Sequence, residues 1–191
     1  MICFQIGKTK VELHFSFFAV FCLFFQWIGK EWGPNCLYAA LIHEMGHLLA
    51  FAAIGSPPQS LHFQMNGIRL VPPEQPLSIT EELFTLAGGS FSSLIVAALL
   101  WPFRPFTAVF HLYTGLFSML PICGLDGGEL LSLLLERFCP QNSRQIACWT
   151  SRIVSGAIAG WAIWAGYRTA APGLWLLAAA MLLSMIGKQQ S

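Results

Sequence analysis

Long apolar runs separated by short polar breaks set the pattern of this chain. Residues 13–28 (LHFSFFAVFCLFFQWI) are just long enough to cross a bilayer, with Trp27, Lys30, Glu31 and Trp32 as interface anchors before Gly33-Pro34 ends the run. A second run, 35–54, stops at Gly55-Ser56-Pro57-Pro58. A third covers 83–101, with Thr80 as its expected N-cap and Glu81 and Glu82 as first-turn acids, and a fourth covers 106–120. Leu130 to Leu135 then reads as a short helix before a polar stretch, 136–152, and two further runs follow at 153–167 and 174–186. The pattern predicts an all-α polytopic membrane protein with about six transmembrane helices, its residues 1–191 forming a single domain.

Two segments follow a period of two instead. Residues 61–71 alternate on either side of Asn66-Gly67, a strong hairpin signal, so a small membrane-associated β-hairpin is expected after the second span. Residues 1–12 alternate loosely around Gly7-Lys8-Thr9-Lys10 and suggest a short interfacial strand pair.

Composition supports the membrane reading: 55% of the 191 residues are hydrophobic and only 10% are charged, outside the range of soluble domains. A net charge of +1 without a basic stripe argues against a nucleic-acid partner. The six cysteines form no Cys-x-x-Cys pair and mostly sit in apolar runs, so no disulfide framework is expected. The first apolar run starts after Lys8, Lys10 and Glu12 and is too long for a signal-peptide core, which marks it as a retained span. With the amino terminus inside, Lys8, Lys10, Arg69, Arg137, Arg144, Arg152 and Lys188 face the cytoplasm against Lys30, Arg104 and Arg168 outside. This bias predicts an integral multi-pass protein with both termini cytoplasmic.

Ionisable groups inside apolar runs are costly and usually mark function. Residues four apart stack on one face of a helix, so His43 and His47 of His43-Glu44-Met45-Gly46-His47 can point at one metal ion, with Glu44 in reach of an activated water. A third ligand is needed. Asp126 is the only Asp in the chain and lies at a helix break, Gly124-Leu125-Asp126-Gly127-Gly128, where glycine permits close approach. Cys123 is its rival, His62 and His111 are more distant alternatives, and Asp126 suits a helix N-cap equally well. The small residues from Ala87 to Ser93 read as a helix-packing face.

Taken together, His43-Glu44-Met45-Gly46-His47, Ala87-Gly88-Gly89 and the run from Ser118 through Pro121 to Leu125-Asp126-Gly127-Gly128 resemble the site-2 protease family of intramembrane zinc metalloproteases. The likeness is greatest to the sporulation-type branch, found in bacterial cell membranes, which lacks an inserted PDZ domain. The resemblance implies one Zn2+ per chain held by His43, His47 and Asp126, with Glu44 as catalytic base. Two positions depart from the family pattern. Ser118 replaces an Asn that would help hold the substrate, and Gly89 and Ser92 stand in an Ala-Gly-Pro-x-x-Asn element.

The activity expected is hydrolysis of peptide bonds in membrane-embedded or membrane-associated substrates during regulated intramembrane proteolysis. Its partners would be the bilayer, a membrane protein or peptide substrate, and a regulatory membrane protein. Substrate contacts are expected at Ser118 and at Asn66 and Gly67 of the hairpin, whose edge can receive an unwound segment by strand addition. Two alternatives stand beside this one: a non-proteolytic membrane metal-binding protein, and a pseudoprotease that binds helices without cutting them.

Overall fold

A computed structural model describes residues 2–7, 9–19, 22, 32–64, 67–169 and 172–186. The chain forms two compact units, Met1–Phe117 and Ser118–Ser191.

In the first unit the period-two segments join into one sheet. Strands β1 (Ile2–Ile6) and β2 (Thr9–Leu13) pair antiparallel about Gly7, whose φ of 59° lies in the left-handed region that glycine tolerates. Strands β3 (Ser60–Gln64) and β4 (Gly67–Val71) form the expected hairpin. The two strand pairs are not separate. β2 lies parallel to β3, which gives a four-stranded sheet in the order β1-β2-β3-β4. Alternation sorts its faces: Phe4, Val11, Leu13, Leu61, Phe63, Ile68 and Leu70 line an apolar cleft, while Glu12 and His62, paired across β2 and β3, belong to the alternate, polar set. Leu13 therefore ends a strand, whereas the apolar run had assigned it to a span. Residues 15–19 are helical, and most of the remainder of that run lies outside the described residues.

Helix α1 (Trp32–Ala53) carries the second apolar run and α2 (Ile79–Leu100) the third. The N-cap of α2 is Ser78, not Thr80. Its hydroxyl accepts from the Glu81 N–H while the Glu81 carboxylate accepts from the Ser78 N–H, a reciprocal pair that satisfies two otherwise unbonded donors. Helices α1 and α2 cross closely: a Cβ on Gly88 would lie 2.8 Å from the Gly46 carbonyl oxygen, and one on Gly46 would run into the Ser92 hydroxyl. Helix α3 (Pro105–Ser118) follows α2 and ends where the first unit gives way to the second.

In the second unit the break expected from Pro121 through Gly128 spans residues 119–125 instead, with Gly124 at φ 93° and Asp126, Gly127 and Gly128 already helical. Helix α4 (Asp126–Phe138) starts at Asp126 itself, and α5 (Ser143–Thr169) absorbs most of the stretch that its charges had suggested was a polar connection. Helix α6 (Pro172–Ile186) follows. Ile122, Ala159 and Met181 form the core here, with Val154, Ile158 and Leu177 packed on it.

Among the described residues three helices, α1, α2 and α5, are long and apolar enough to cross a membrane. Helices α3, α4 and α6, with 14, 13 and 15 residues, fall short of the ~20 that a perpendicular span needs. On α2, Phe91, Ile95 and Leu99 recur four apart and are each more than half exposed, a stripe suited to lipid and costly in water.

Candidate metal centre

Helix α1 carries His43 and His47 one turn apart, each only 7% exposed. Their Nε2 atoms lie 3.3 Å from each other. The neighbouring helix α2 fixes both rings. Nδ1 of His47 is 2.7 Å from the carbonyl oxygen of Thr85, and because a carbonyl only accepts, Nδ1 carries the proton and Nε2 presents a lone pair. Nδ1 of His43 lies 3.4 Å from the hydroxyl of Ser93. Two donors of a tetrahedral zinc site, each about 2.0–2.1 Å from the ion, are separated by about 3.3 Å. The donor chemistry and spacing of the two imidazoles therefore fit zinc.

Gly89 makes room for this arrangement, since a Cβ at that position would run into Nε2 of His47. Ser92, which stands where the resemblance led us to expect an amide, has one hydroxyl proton to share between the carbonyl oxygens of Gly89 at 2.8 Å and Ile42 at 3.0 Å. Its hydroxyl thus ties α2 to α1 beside His43. Thr85, Gly89 and Ser93 were not singled out as site residues from the sequence. The signal was present, because all three share a face of α2 at four-residue spacing, but nothing in the sequence said which helix α1 packs on.

Glu44, half-buried, is the one ionisable residue among the described residues that line the cleft of about 390 Å³ between α1 and the apolar face of the sheet. Leu41, Met45 and Leu48 of α1 form the same wall. Of the alternative ligands, His62 is on the sheet beside Glu12, and His111 is fully buried against Tyr38 with ring centroids 5.0 Å apart. Neither joins His43 and His47 in a group of donors. Gly67 opens β4 opposite Gln64, so it is a strand residue and not the centre of the turn; Asn66 lies outside the described residues.

In the second unit, Asp126 is the first helical residue of α4. The N-cap is Leu125, in extended conformation and without a side-chain cap, so the capping role considered for Asp126 is not the one it has. Gly127 and Gly128 fold the break tightly onto the helix start: a Cβ on either would collide with the backbone of Met119 or Ile122. The Cys123 N–H donates to the Ser151 hydroxyl at 2.9 Å, holding the break against α5. Ser118, half-buried, ends α3.

No family model and no curated protein match this sequence. Among solved structures, the site-2 protease from Methanocaldococcus jannaschii matches with a TM-score of 0.63 at 17% identity, over 97% of this chain and 92% of that one. The likeness read from the His-Glu-x-x-His and Leu-Asp-Gly elements thus holds at the level of the fold.

Proposed function

We propose that this chain is an intramembrane zinc metalloprotease of the site-2 protease type. The observation that carries the reading is the His43 and His47 pair: two buried imidazoles converge at zinc-ligand spacing, one with its tautomer set by Thr85, next to a carboxylate on an apolar cleft. Fold likeness to a site-2 protease over nearly the whole chain supports it.

In this reading Asp126 supplies the third protein ligand to His43 and His47. When bound, the ion lowers the pKa of water toward neutrality and polarises a carbonyl oxygen. Glu44 accepts the proton as water attacks the scissile carbonyl and returns it to the departing amine. The apolar walls of the cleft beside Glu44 suit a segment leaving a transmembrane helix. Such a segment must unwind before its carbonyls can be reached. The outer edge of β4, which pairs only with β3 among the described strands, offers backbone groups to receive it, with Ile68 and Leu70 lining the cleft beside it. Gly67 would serve at the start of that edge and Ser118 as a donor toward the substrate carbonyl.

The short α1–α2 connection, whose strands among the described residues are β3 and β4, favours the sporulation-type branch without a PDZ insertion. Six spans with cytoplasmic termini in a bacterial cell membrane, a regulatory membrane partner and a role in regulated proteolysis belong to the same proposal.

The test uses a single-pass substrate reconstituted in vesicles with wild type or Glu44→Gln, plus elemental analysis of wild type, Asp126→Ala and Cys123→Ala. Cleavage by wild type alone, with zinc retained in Glu44→Gln and Cys123→Ala but lost in Asp126→Ala, is expected. Equal turnover by wild type and Glu44→Gln would exclude the protease and leave a metal-binding or helix-binding protein.

A further inference from the structure

A second group of metal-ligating side chains lies on the polar face of the sheet, in the same compact unit as α1 but on different elements. Glu12 and His62 are cross-strand partners in the parallel β2–β3 pair, and His14 follows two residues after Glu12, where its backbone N–H donates to the Phe63 carbonyl oxygen at 3.0 Å. One donor atom from each of Glu12, His14 and His62 lies within 4.8 Å of the other two. Oε2 of Glu12 is 2.9 Å from Nδ1 of His62 and 3.9 Å from Nε2 of His14.

These separations bracket the ~3.3 Å expected between two ligands of one tetrahedral ion. Nδ1 of His62 is buried and its close neighbour is the Glu12 carboxylate oxygen, so these two donor atoms face each other at 2.9 Å. Facing donor atoms at that separation can share one ion. The far side of the His62 ring is also arranged for ligation. Nε2 is 2.7 Å from the Ser60 hydroxyl, which can accept its proton and leave the Nδ1 lone pair facing Glu12. Lys10 bonds Oε1 of Glu12 at 2.7 Å and so occupies the oxygen that the histidines do not face.

We infer that Glu12, His14 and His62 form a second site for a divalent transition-metal ion, of which zinc is the natural probe. Two imidazoles and a carboxylate suit zinc, and the ligands come from β2, the residue just beyond it, and β3. The ion would therefore clamp the first strand pair to the second across their parallel seam. This site stands independently of the proposed protease centre.

The experiment uses full-length protein purified in detergent with a tag free of histidine, stripped by chelator and titrated with Zn2+. Two equivalents are expected for wild type, one for His62→Asn, one for His47→Asn and none for the double variant. Hydrogen exchange supplies a second readout that does not depend on His62→Asn folding. Zinc added to His47→Asn should slow exchange at residues 9–14 and 60–64. An unchanged zinc count in His62→Asn, or no zinc-dependent protection of those strands in His47→Asn, would overturn the assignment and leave Glu12 as the centre of a sheet ion pair.

Discussion

His43 and His47 lie one turn apart on a single helix and are almost fully buried, whereas His14 and His62 are distant in sequence, meet only where β2 pairs with β3, and stay partly open to solvent. In the first pair the backbone of one helix sets the spacing and a second helix, α2, orients the rings through Thr85 and Ser93. In the second the spacing is a product of strand register, and a serine two residues away on the same face does the orienting. Burial separates their uses. A site walled by apolar residues can exclude water and strengthen electrostatic effects, while a site on the polar face of a sheet, across its central strand pair, is better suited to bracing the strands.

That contrast breaks first at Glu44. Glu44→Gln should lower peptide hydrolysis by about 10²–10⁴-fold, the usual worth of a general base, while the zinc count stays at the wild-type value. Proteolysis that persists at the wild-type rate would mean that the buried pair is not a catalytic centre.

Next in size is Gly89→Ala. Its added methyl group meets Nε2 of His47, and disturbance of an oriented ligand should weaken zinc binding at the buried pair about 10–100-fold in a competition titration. Gly160→Ala, at a helical position with nothing within 4 Å of the added carbon, serves as the control and should leave affinity unchanged. A smaller effect is expected from Ser78→Ala, which removes the cap of α2 and should cost about 1 kcal/mol in thermal unfolding without altering zinc stoichiometry.

The smallest effect concerns pH at the sheet. The Lys10 ammonium beside Glu12 holds its carboxyl below the ordinary 4.5, so the stabilisation is fully present above that value and is lost as pH falls through the depressed one. Glu12 in turn raises Lys10 above 10.5, and that contribution fades only as pH rises through the raised value. Hydrogen exchange at residues 9–13 in metal-free protein should thus be insensitive to this pair between those limits, once corrected for intrinsic rates, and should accelerate on the acid side. Exchange that stays flat as pH falls through the depressed carboxyl value would overturn this account of the pair.

Much of this was legible along the chain. The apolar runs placed α1 and α2 to within a few residues, and Asn66-Gly67 announced the β3–β4 hairpin. Their ends were less legible: the preference of Ser78 for the cap over Thr80 rests on a reciprocal bond with Glu81, and the charges of 136–152 hid the start of α5. Of the six spans expected, the first lies mostly outside the described residues, α1, α2 and α5 have the required length, and proline breaks leave α3 and α6 with 14 and 15 residues.

By itself the sequence determined that His43 and His47 share a helix face, since the period of an α-helix is local and needs no knowledge of neighbours. It determined equally that the sheet strands have one apolar and one polar face. Only the tertiary structure decided that β2 runs parallel to β3, that α2 supplies Thr85, Gly89 and Ser93 to the histidines, and that Glu12 meets His62. Those are contacts between segments far apart in the chain, set by which surfaces pack together, and no local spacing encodes them.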